Sequence, residues 1–567
     1  MGDDTTWTRR RFLQLAGEVG GAAAVYESMV ALGMLRVPPD AYAQRLEIEP
    51  GSGTGKTIVI LGAGIAGLTA AYELKQRNSG HTIIILEANS RPGGRSYTVR
   101  QGNEIVERHG DEVVRQKCEY DKDQYLNAGP GRIPYHHRLA LHYCRELKVA
   151  VEPYVMTSRA NLYQNTIPGK YFAEPMPHRR ILNDTRGYVA ELLTKAIQKG
   201  SLDDRIPDAG ERTLLLELLA NFGPLNSSGD YNGSQRSGYS IQPGVITPGK
   251  IEEKIPRDRL LGSKFWLDRM YQPEDYEWQP TLFQPVGGMD MLARGFLPVV
   301  EPFIRYNREV TRVSTEDGKV VVRHRSAGKA VEEETVTADW CISTIPVWIL
   351  KRLIDPGKFS QAFLDALAAP KGAPTCKVGW QANRRFWELD DEIYGGISYI
   401  NHTITQFWYP SNGYLHQEKG VLTGTYNYGT RAEFLGAKDL DERRRIAAEG
   451  GEFLHGRAFR EAVPIPLGLS IAWQYVPYEE GGWADWSKAD PKHYRTLLEP
   501  DYGVIVAGDQ VSYLPGWQEG AMLSAHHVLA RIAARQPAVR LKAPEVNVVP
   551  DSRGITEGSG PGRGGAS

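Results

Sequence analysis

Residues 57–95 read TIVILGAGIAGLTAAYELKQRNSGHTIIILEANSRPGGR, and this stretch decides the fold. Thr57 to Leu61 is an apolar, β-branched run, which predicts a buried strand. Gly62, Gly64 and Gly67 follow in G-x-G-x-x-G spacing. Leu68 to Gln76 continues as a helix, and Thr82 to Leu86 is a second apolar strand ending at Glu87. Strand, glycine turn, helix, strand and acid in this order make a dinucleotide-binding βαβ unit. Gly62 permits the tight turn, Gly64 lets backbone approach a pyrophosphate, and Gly67 packs helix on strand. The helix start at Ile65 and Ala66 turns its free N–H groups toward negative charge. Glu87, with Ala88 beside it, stands where a carboxylate accepts ribose hydroxyls.

The rest of the chain fits a large enzyme. It has 567 residues, enough for two or three domains with sizeable cores. A formal net charge of −1 favours neither nucleic acid nor a membrane surface as partner. Thr8 to Gln14 reads TRRRFLQ, the pattern of a twin-arginine export signal. Leu15 to Leu35 is weakly apolar and interrupted by Glu18 and Glu27, which argues against a stable membrane span. Ala41-Tyr42-Ala43 is a small-x-small cleavage pattern, so residues 1–43 are expected to be a signal peptide. A periplasmic or secreted location follows, with the twin-arginine export machinery as a partner. Residues 51–57, GSGTGKT, are one residue short of a phosphate loop and precede their strand, so they are read as a flexible lead-in. Cys118, Cys144, Cys341 and Cys376 form no C-x-x-C pair, which excludes a zinc site of that type; one disulfide stays open. No metal is expected, and a helix start accounts for His136 and His137.

After Glu87 come Arg91, Gly93, Gly94 and Arg95. Far downstream, a strand over Tyr502 to Ala507 leads to Gly508-Asp509, then to Pro515-Gly516-Trp517-Gln518-Glu519-Gly520-Ala521 opening a helix that runs to about Arg535. These two segments resemble the flavin-containing amine oxidase family, and within it the bacterial L-amino acid oxidases. The resemblance covers roughly residues 54–535. It implies FAD, bound non-covalently, with Arg91 and Arg95 near the phosphates and Asp509 on a ribityl hydroxyl. The helix start near Gln518 and Ala521 would face the flavin. Backbone contact to adenine is implied near Val310. No cysteine follows Cys376, which argues against a flavin thioether in the C-terminal segment.

The fold class expected is α/β: a discontinuous Rossmann-like FAD-binding domain, a mixed-sheet substrate-binding domain and a helical insertion. The FAD-binding pieces are 54–105, 281–346 and 497–536. The substrate-domain pieces are 106–150, with a flavin contact, and 347–496. A helical insertion is expected at 151–275, where Tyr188 to Leu193 shows helical spacing. Residues 537–567, rich in Gly, Pro, Ser and charge, are expected to be a disordered tail. Relatives imply a homodimer or higher homo-oligomer.

The resemblance also supplies candidate substrate contacts. Asn127 to Pro134 looks like the segment that L-amino acid oxidases place beside the flavin, with Gly129, Pro130 and Gly131 at the cofactor and Arg132 on the substrate carboxylate. A guanidinium suits that task, because its planar fork bonds a carboxylate in bidentate fashion. Tyr426 would give a second carboxylate contact, with Tyr428 as its competitor. Lys377 would hold a water near flavin N5 and help oxygen react. Trp517 would wall an aromatic cage, and the Gly516 carbonyl would take the substrate amine. The implied reaction is oxidative deamination: hydride passes from Cα to flavin N5, and the products are a 2-oxo acid, ammonia and, with dioxygen, hydrogen peroxide. Trp380, Trp408 and Tyr409 point to bulky apolar or aromatic side chains, while lysine, arginine or glutamate stays open. Two other readings stand beside this one: an amine oxidase or other FAD-dependent dehydrogenase acting on non-carboxylate amines, and a non-catalytic FAD-binding protein.

Overall fold

The computed structural model describes residues 46–165, 172, 174–328 and 332–535. The signal-peptide and tail readings fall outside these residues. Thr57–Leu61 is the central strand of a five-stranded sheet that is parallel throughout. The strand order is Ile304–Arg305, Thr82–Leu86, Thr57–Leu61, Trp340–Ser343, Val504–Val506. The sheet is therefore assembled from widely separated parts of the chain.

Both faces of this sheet are buried, which is why its strands read as unbroken apolar runs. Ile58 and Ile60 face a core shared with the helices Ile65–Gln76, Met291–Val300 and Gln518–Arg535. Val59 and Leu61 face the other core, with Val313, Val320 and Val322 of an antiparallel three-stranded layer. That layer comprises Arg308–Glu316, Lys319–Ser326 and Glu334–Ala338.

A second, seven-stranded sheet lies in the order Met176–Pro177, Leu162–Asn165, Gly396–Asn401, Gln406–Tyr409, Gly420–Tyr428, Thr375–Ala382, Leu469–Ala472. It is mixed, because Leu162–Asn165 runs parallel to Gly396–Asn401 while the other pairs are antiparallel. The long helix Leu440–Ala462 covers one face. The register sets Lys377 opposite Tyr426.

The 151–275 segment is helical only in part. Val151–Tyr154, Leu162–Asn165 and Met176–Pro177 are strands, and the last two belong to the seven-stranded sheet. Buried Leu162 and Tyr163 find sheet partners there, so tertiary pairing decides the local state. The helices His178–Gln198 and Ala209–Phe222 then pack on each other. All four cysteines are buried free thiols, and none is joined in a disulfide. Among the described residues no helix is long and apolar enough to cross a membrane.

A dinucleotide cleft and a guanidinium cage

The Thr57–Leu61 strand ends at the mouth of a cleft of about 560 Å³. Gly62 turns there with φ of +102°, in the region that favours glycine. A Cβ on Gly67 would lie 2.2 Å from the Gly62 carbonyl oxygen, so helix and strand pack at the closest approach glycine permits. A Cβ on Gly64 would meet nothing within 4 Å and would enter the cleft. Gly64 caps the helix without a side-chain hydrogen bond and no acid occupies the first turn, which leaves backbone N–H groups at Ile65 and Ala66 for an anion.

Glu87, Ala88 and Val310 line the cleft near the second strand. Glu87 accepts the Ala63 N–H at 2.8 Å and the Asn89 N–H at 2.7 Å, and burial pushes its carboxyl pKa up. Gly93, Gly94, Arg95, Pro130, Gly508 and Asp509 line the middle. Arg95 donates to Asp509 at 2.6 Å and lies 3.5 Å from Glu479. Asp509 also accepts the Gly516 N–H at 2.8 Å. Burial raises the Glu479 carboxyl to about 7, against the pull of Arg95. Arg91 does not line the cleft. It stacks 3.8 Å over Tyr97 and donates to the Gly94 carbonyl, so it braces the glycine turn. Gly516, Trp517, Gln518 and Ala521 close the far end.

Beyond Trp517 lies Arg132, which is 5% exposed. Its guanidinium sits 3.5 Å over Trp278, 4.9 Å from Trp517 and 5.5 Å from Trp408. Nε is buried without a partner, and among the described residues the side chain makes no hydrogen bond or ion pair. Burial lowers its pKa, against Tyr154, Tyr426, Tyr399 and Glu277. The hydroxyls of Tyr154 and Tyr399 are likewise buried without partners. A buried cation with cation–π support but no counter-ion is costly to hold, and an anionic ligand would relieve that cost.

A family model described as flavin containing amine oxidoreductase matches residues 65–533, most of the chain. The chain belongs to the flavin-containing amine oxidoreductase family. YobN of Bacillus subtilis (strain 168) is 25% identical over 485 residues, covering 83% of this chain and 93% of that protein. The L-amino-acid oxidase of Siganus canaliculatus is also 25% identical over 485 residues, covering 84% of this chain and 85% of its own. In fold, the chain resembles cyclohexylamine oxidase from Brevibacterium oxydans IH-35A, with a TM-score of 0.53, 14% identity, and coverage of 84% and 98%. The protein is a flavin-dependent amine oxidoreductase. The cleft fits such a cofactor: it has a side-chain-free Gly64, an uncapped helix start and, at its far end, a buried and unpartnered Gln518 Oε1.

The other residues expected in this flavoenzyme fall around the cage. Lys377 is buried and donates to the carbonyls of Asn127, at 3.0 Å, and Gly129. Its Nζ lies 4.6 Å over the Tyr426 ring. Burial first, and then Arg132, pull its pKa down to about 7. Gly131 leaves room for Trp408, which would lie 2.9 Å from a Cβ there. Tyr426 meets Trp408 edge-on at 5.5 Å, and burial raises its phenol to about 12 against Arg132 and then Arg269. Tyr428 lies farther along, under Arg269 at 4.2 Å and 6.0 Å from Trp483. Gly516 has φ of +81° and abuts Trp483.

Trp380 and Tyr409 do not join the cage. Both are buried in the core under the Leu440–Ala462 helix. Neighbouring strand residues point to opposite faces, so Trp408 reaches Arg132 and Tyr409 turns away from it. His137 stands at the N-cap position of the helix Arg138–Glu146 without a side-chain cap hydrogen bond. His136 and His137 both direct Nε2 at one Glu277 oxygen, at 3.1 and 2.7 Å, and these ligand-type atoms lie within 4.8 Å of one another. Those separations are hydrogen bonds, and they fix His137 edge-on to Trp517 at 4.9 Å. Glu519 accepts the N–H groups of Leu139 and Ala140 and so caps the same helix. Sequence reasoning missed Tyr154, Arg269, Glu277, Trp278, Tyr399 and Trp483. Glu277 and Trp278 share one 3-10 turn and the others come from separate stretches, and no local motif marks them.

Proposed function

We propose that this enzyme oxidises L-amino acids, with FAD bound non-covalently in the cleft, to 2-oxo acids, ammonia and hydrogen peroxide. The observation that carries this reading is the buried Arg132 guanidinium, ringed by three indoles and, among the described residues, without an ion-pair partner. A substrate carboxylate supplies that partner in bidentate geometry. Tyr426 adds a phenol donor, and its ring also faces Lys377. The Gly516 carbonyl accepts the substrate amine. Arg132 and Tyr426 on the carboxylate and Gly516 on the amine hold two of the groups on Cα and aim its C–H bond, so this chain contributes orientation. A flavin held in the cleft beside Gly64, Arg95 and Gln518 would supply the hydride acceptor and the route for electrons to dioxygen. Lys377 places a cationic donor between the Gly129 segment and Tyr426, where it favours developing negative charge on oxygen. Trp278, Trp408 and Trp517 exclude water from the carboxylate contact. Among the described residues the cleft lining includes no cysteine or histidine, which supports the non-covalent reading.

We assign residues 1–43 to a twin-arginine signal and the mature protein to the periplasm or the medium, from the Thr8–Gln14 pattern. An Arg9→Lys/Arg10→Lys variant should then stay inside the cell. A homo-oligomer is supported by an exposed apolar row, Leu214, Leu218 and Phe222, beside Val189 and Leu192 on the neighbouring helix. Light scattering should give more than one chain mass.

The test of the activity is anaerobic mixing of the flavin-loaded protein with single L-amino acids. Bleaching of the flavin band by L-isomers, but not by D-isomers or the decarboxylated amines, is expected. Bleaching by amines alone would contradict the reading.

A further inference from the structure

A second arginine packs on Tyr428, two residues along the strand from Tyr426. Arg269 follows the short 3-10 turn Phe265–Asp268 and holds φ of +66°, a left-handed backbone rare for a side chain of its size. Its guanidinium lies 4.2 Å over the Tyr428 ring. It is half-buried and, among the described residues, its side chain makes no hydrogen bond or ion pair. Contacts run without a break from Arg132 to it: Arg132 to Trp408 at 5.5 Å, Trp408 to Tyr426 at 5.5 Å, Tyr426 to Tyr428 at 5.9 Å, then Arg269.

Both guanidiniums act on the same two phenols, Tyr399 and Tyr426. Arg431 adds a further positive charge beside Arg269, and the Asp275 carboxylate is set against it. The nearby Asp268 carboxylate is taken by the Tyr163 hydroxyl at 2.7 Å. Among the described residues, Arg132 and Arg269 thus lack a hydrogen-bond or ion-pair partner and are linked through Trp408, Tyr426 and Tyr428. One suffices for the α-carboxylate of an amino acid, and the other is left for the far end of the side chain.

We infer that Arg269 determines specificity by binding a carboxylate on the substrate side chain, so that the enzyme prefers acidic L-amino acids to neutral or basic ones. This rests on the L-amino acid reading above and narrows it. It differs from the expectation of bulky apolar substrates, which counted on Trp380, a residue buried in the core under the Leu440–Ala462 helix. A dicarboxylate satisfies both guanidiniums, a neutral side chain leaves Arg269 without a gain, and an ammonium is repelled by it.

The experiment compares L-glutamate, L-aspartate, L-2-aminoadipate, L-glutamine, L-leucine and L-lysine on the flavin-loaded full chain and on Arg269→Gln and Arg269→Lys. The parent should show kcat/KM for at least one acid on the order of 10- to 100-fold above glutamine, a charge-assisted pair's worth. Arg269→Gln should lose that advantage mainly through KM, keep leucine within about threefold, and be partly rescued in Arg269→Lys. Tryptophan fluorescence gives a readout apart from turnover: glutarate should bind the parent more tightly than butyrate, and Arg269→Gln should bind the two alike. Equal rates for acids and glutamine, with leucine oxidised, would overturn the inference and leave the L-amino acid reading standing. An equal loss on every substrate in Arg269→Gln would reduce Arg269 to packing on Tyr428 and overturn it too. Oxidation of no L-amino acid would overturn both.

Discussion

The cleft and the cage lie side by side but are encoded differently. The cleft is written in short runs: Gly62, Gly64 and Gly67 within six residues, and Gly516 to Ala521 within another six. Its logic is backbone geometry, a turn, an uncapped helix and a close approach. The cage is built from side chains brought together by the seven-stranded sheet and the segment ending at Trp278. Its logic is an uncompensated charge in an aromatic shell. A local motif can fix where a cofactor lies, while substrate choice depends on contacts distant in sequence.

If the two regions are separate in function, variants should divide cleanly. The largest effect is expected for Gly64→Leu. Its φ of −72° suits any residue and a Cβ meets no atom, so the chain should fold while the side chain fills the cleft. Purified protein should be colourless with an unchanged far-ultraviolet spectrum. Retained flavin would break the comparison from the cleft side. Arg132→Leu should do the reverse: flavin stays, and kcat/KM for L-amino acids falls roughly a thousandfold, as for a buried charge pair losing one partner.

Lys377→Met should leave anaerobic flavin reduction near the parent rate and slow reoxidation by oxygen on the order of 100-fold, seen by stopped flow. The sign of the pH effect follows from the depressed pKa. The ammonium exists below about 7 and is lost as pH rises through it, so fast reoxidation should fade above neutrality in the parent and be flat in the variant. Tyr426→Phe should raise KM by about tenfold, one hydrogen bond to a charged group, and Tyr428→Phe should change it less.

The smallest effect concerns the helix behind His137. Burial raises the Glu519 carboxyl from 4.5 to about 7. A raised folded-state pKa adds stability that is full below the unfolded value and lost as pH rises through the folded one. The parent should therefore soften between about pH 5 and 7, by thermal melting at matched flavin loading, and Glu519→Gln should soften less over that window.

Most of the scaffold was legible. Thr57–Leu61 and Thr82–Leu86 are buried on both faces, so composition alone marks them, and the helix Gln518–Arg535 follows its glycine turn. Arg132, Lys377 and Tyr426 were legible through the segments that carry them, and the structure brings all three to one cage. Their neighbours were not. Arg269 and Trp278 enter from one stretch and Tyr399 and Trp483 from two others, and their role exists only after the sheet has formed. Trp380 and Tyr409 misled because strand aromatics look alike from either face. The register shift between Val378 and Gly379 further obscures which residues of that strand share a face with Lys377. Residues 151–177 show how pairing overrides local pattern: Leu162–Asn165 is a strand because Gly396–Asn401 lies beside it.

The most direct measurement pairs L-leucine with its decarboxylated amine on the flavin-loaded parent and on Arg132→Leu, following anaerobic flavin reduction. If Arg132 selects the carboxylate, the parent reduces only with L-leucine, and the variant loses that preference while keeping its flavin. A parent reduced equally well by the amine, or a variant that still prefers L-leucine, would contradict the account.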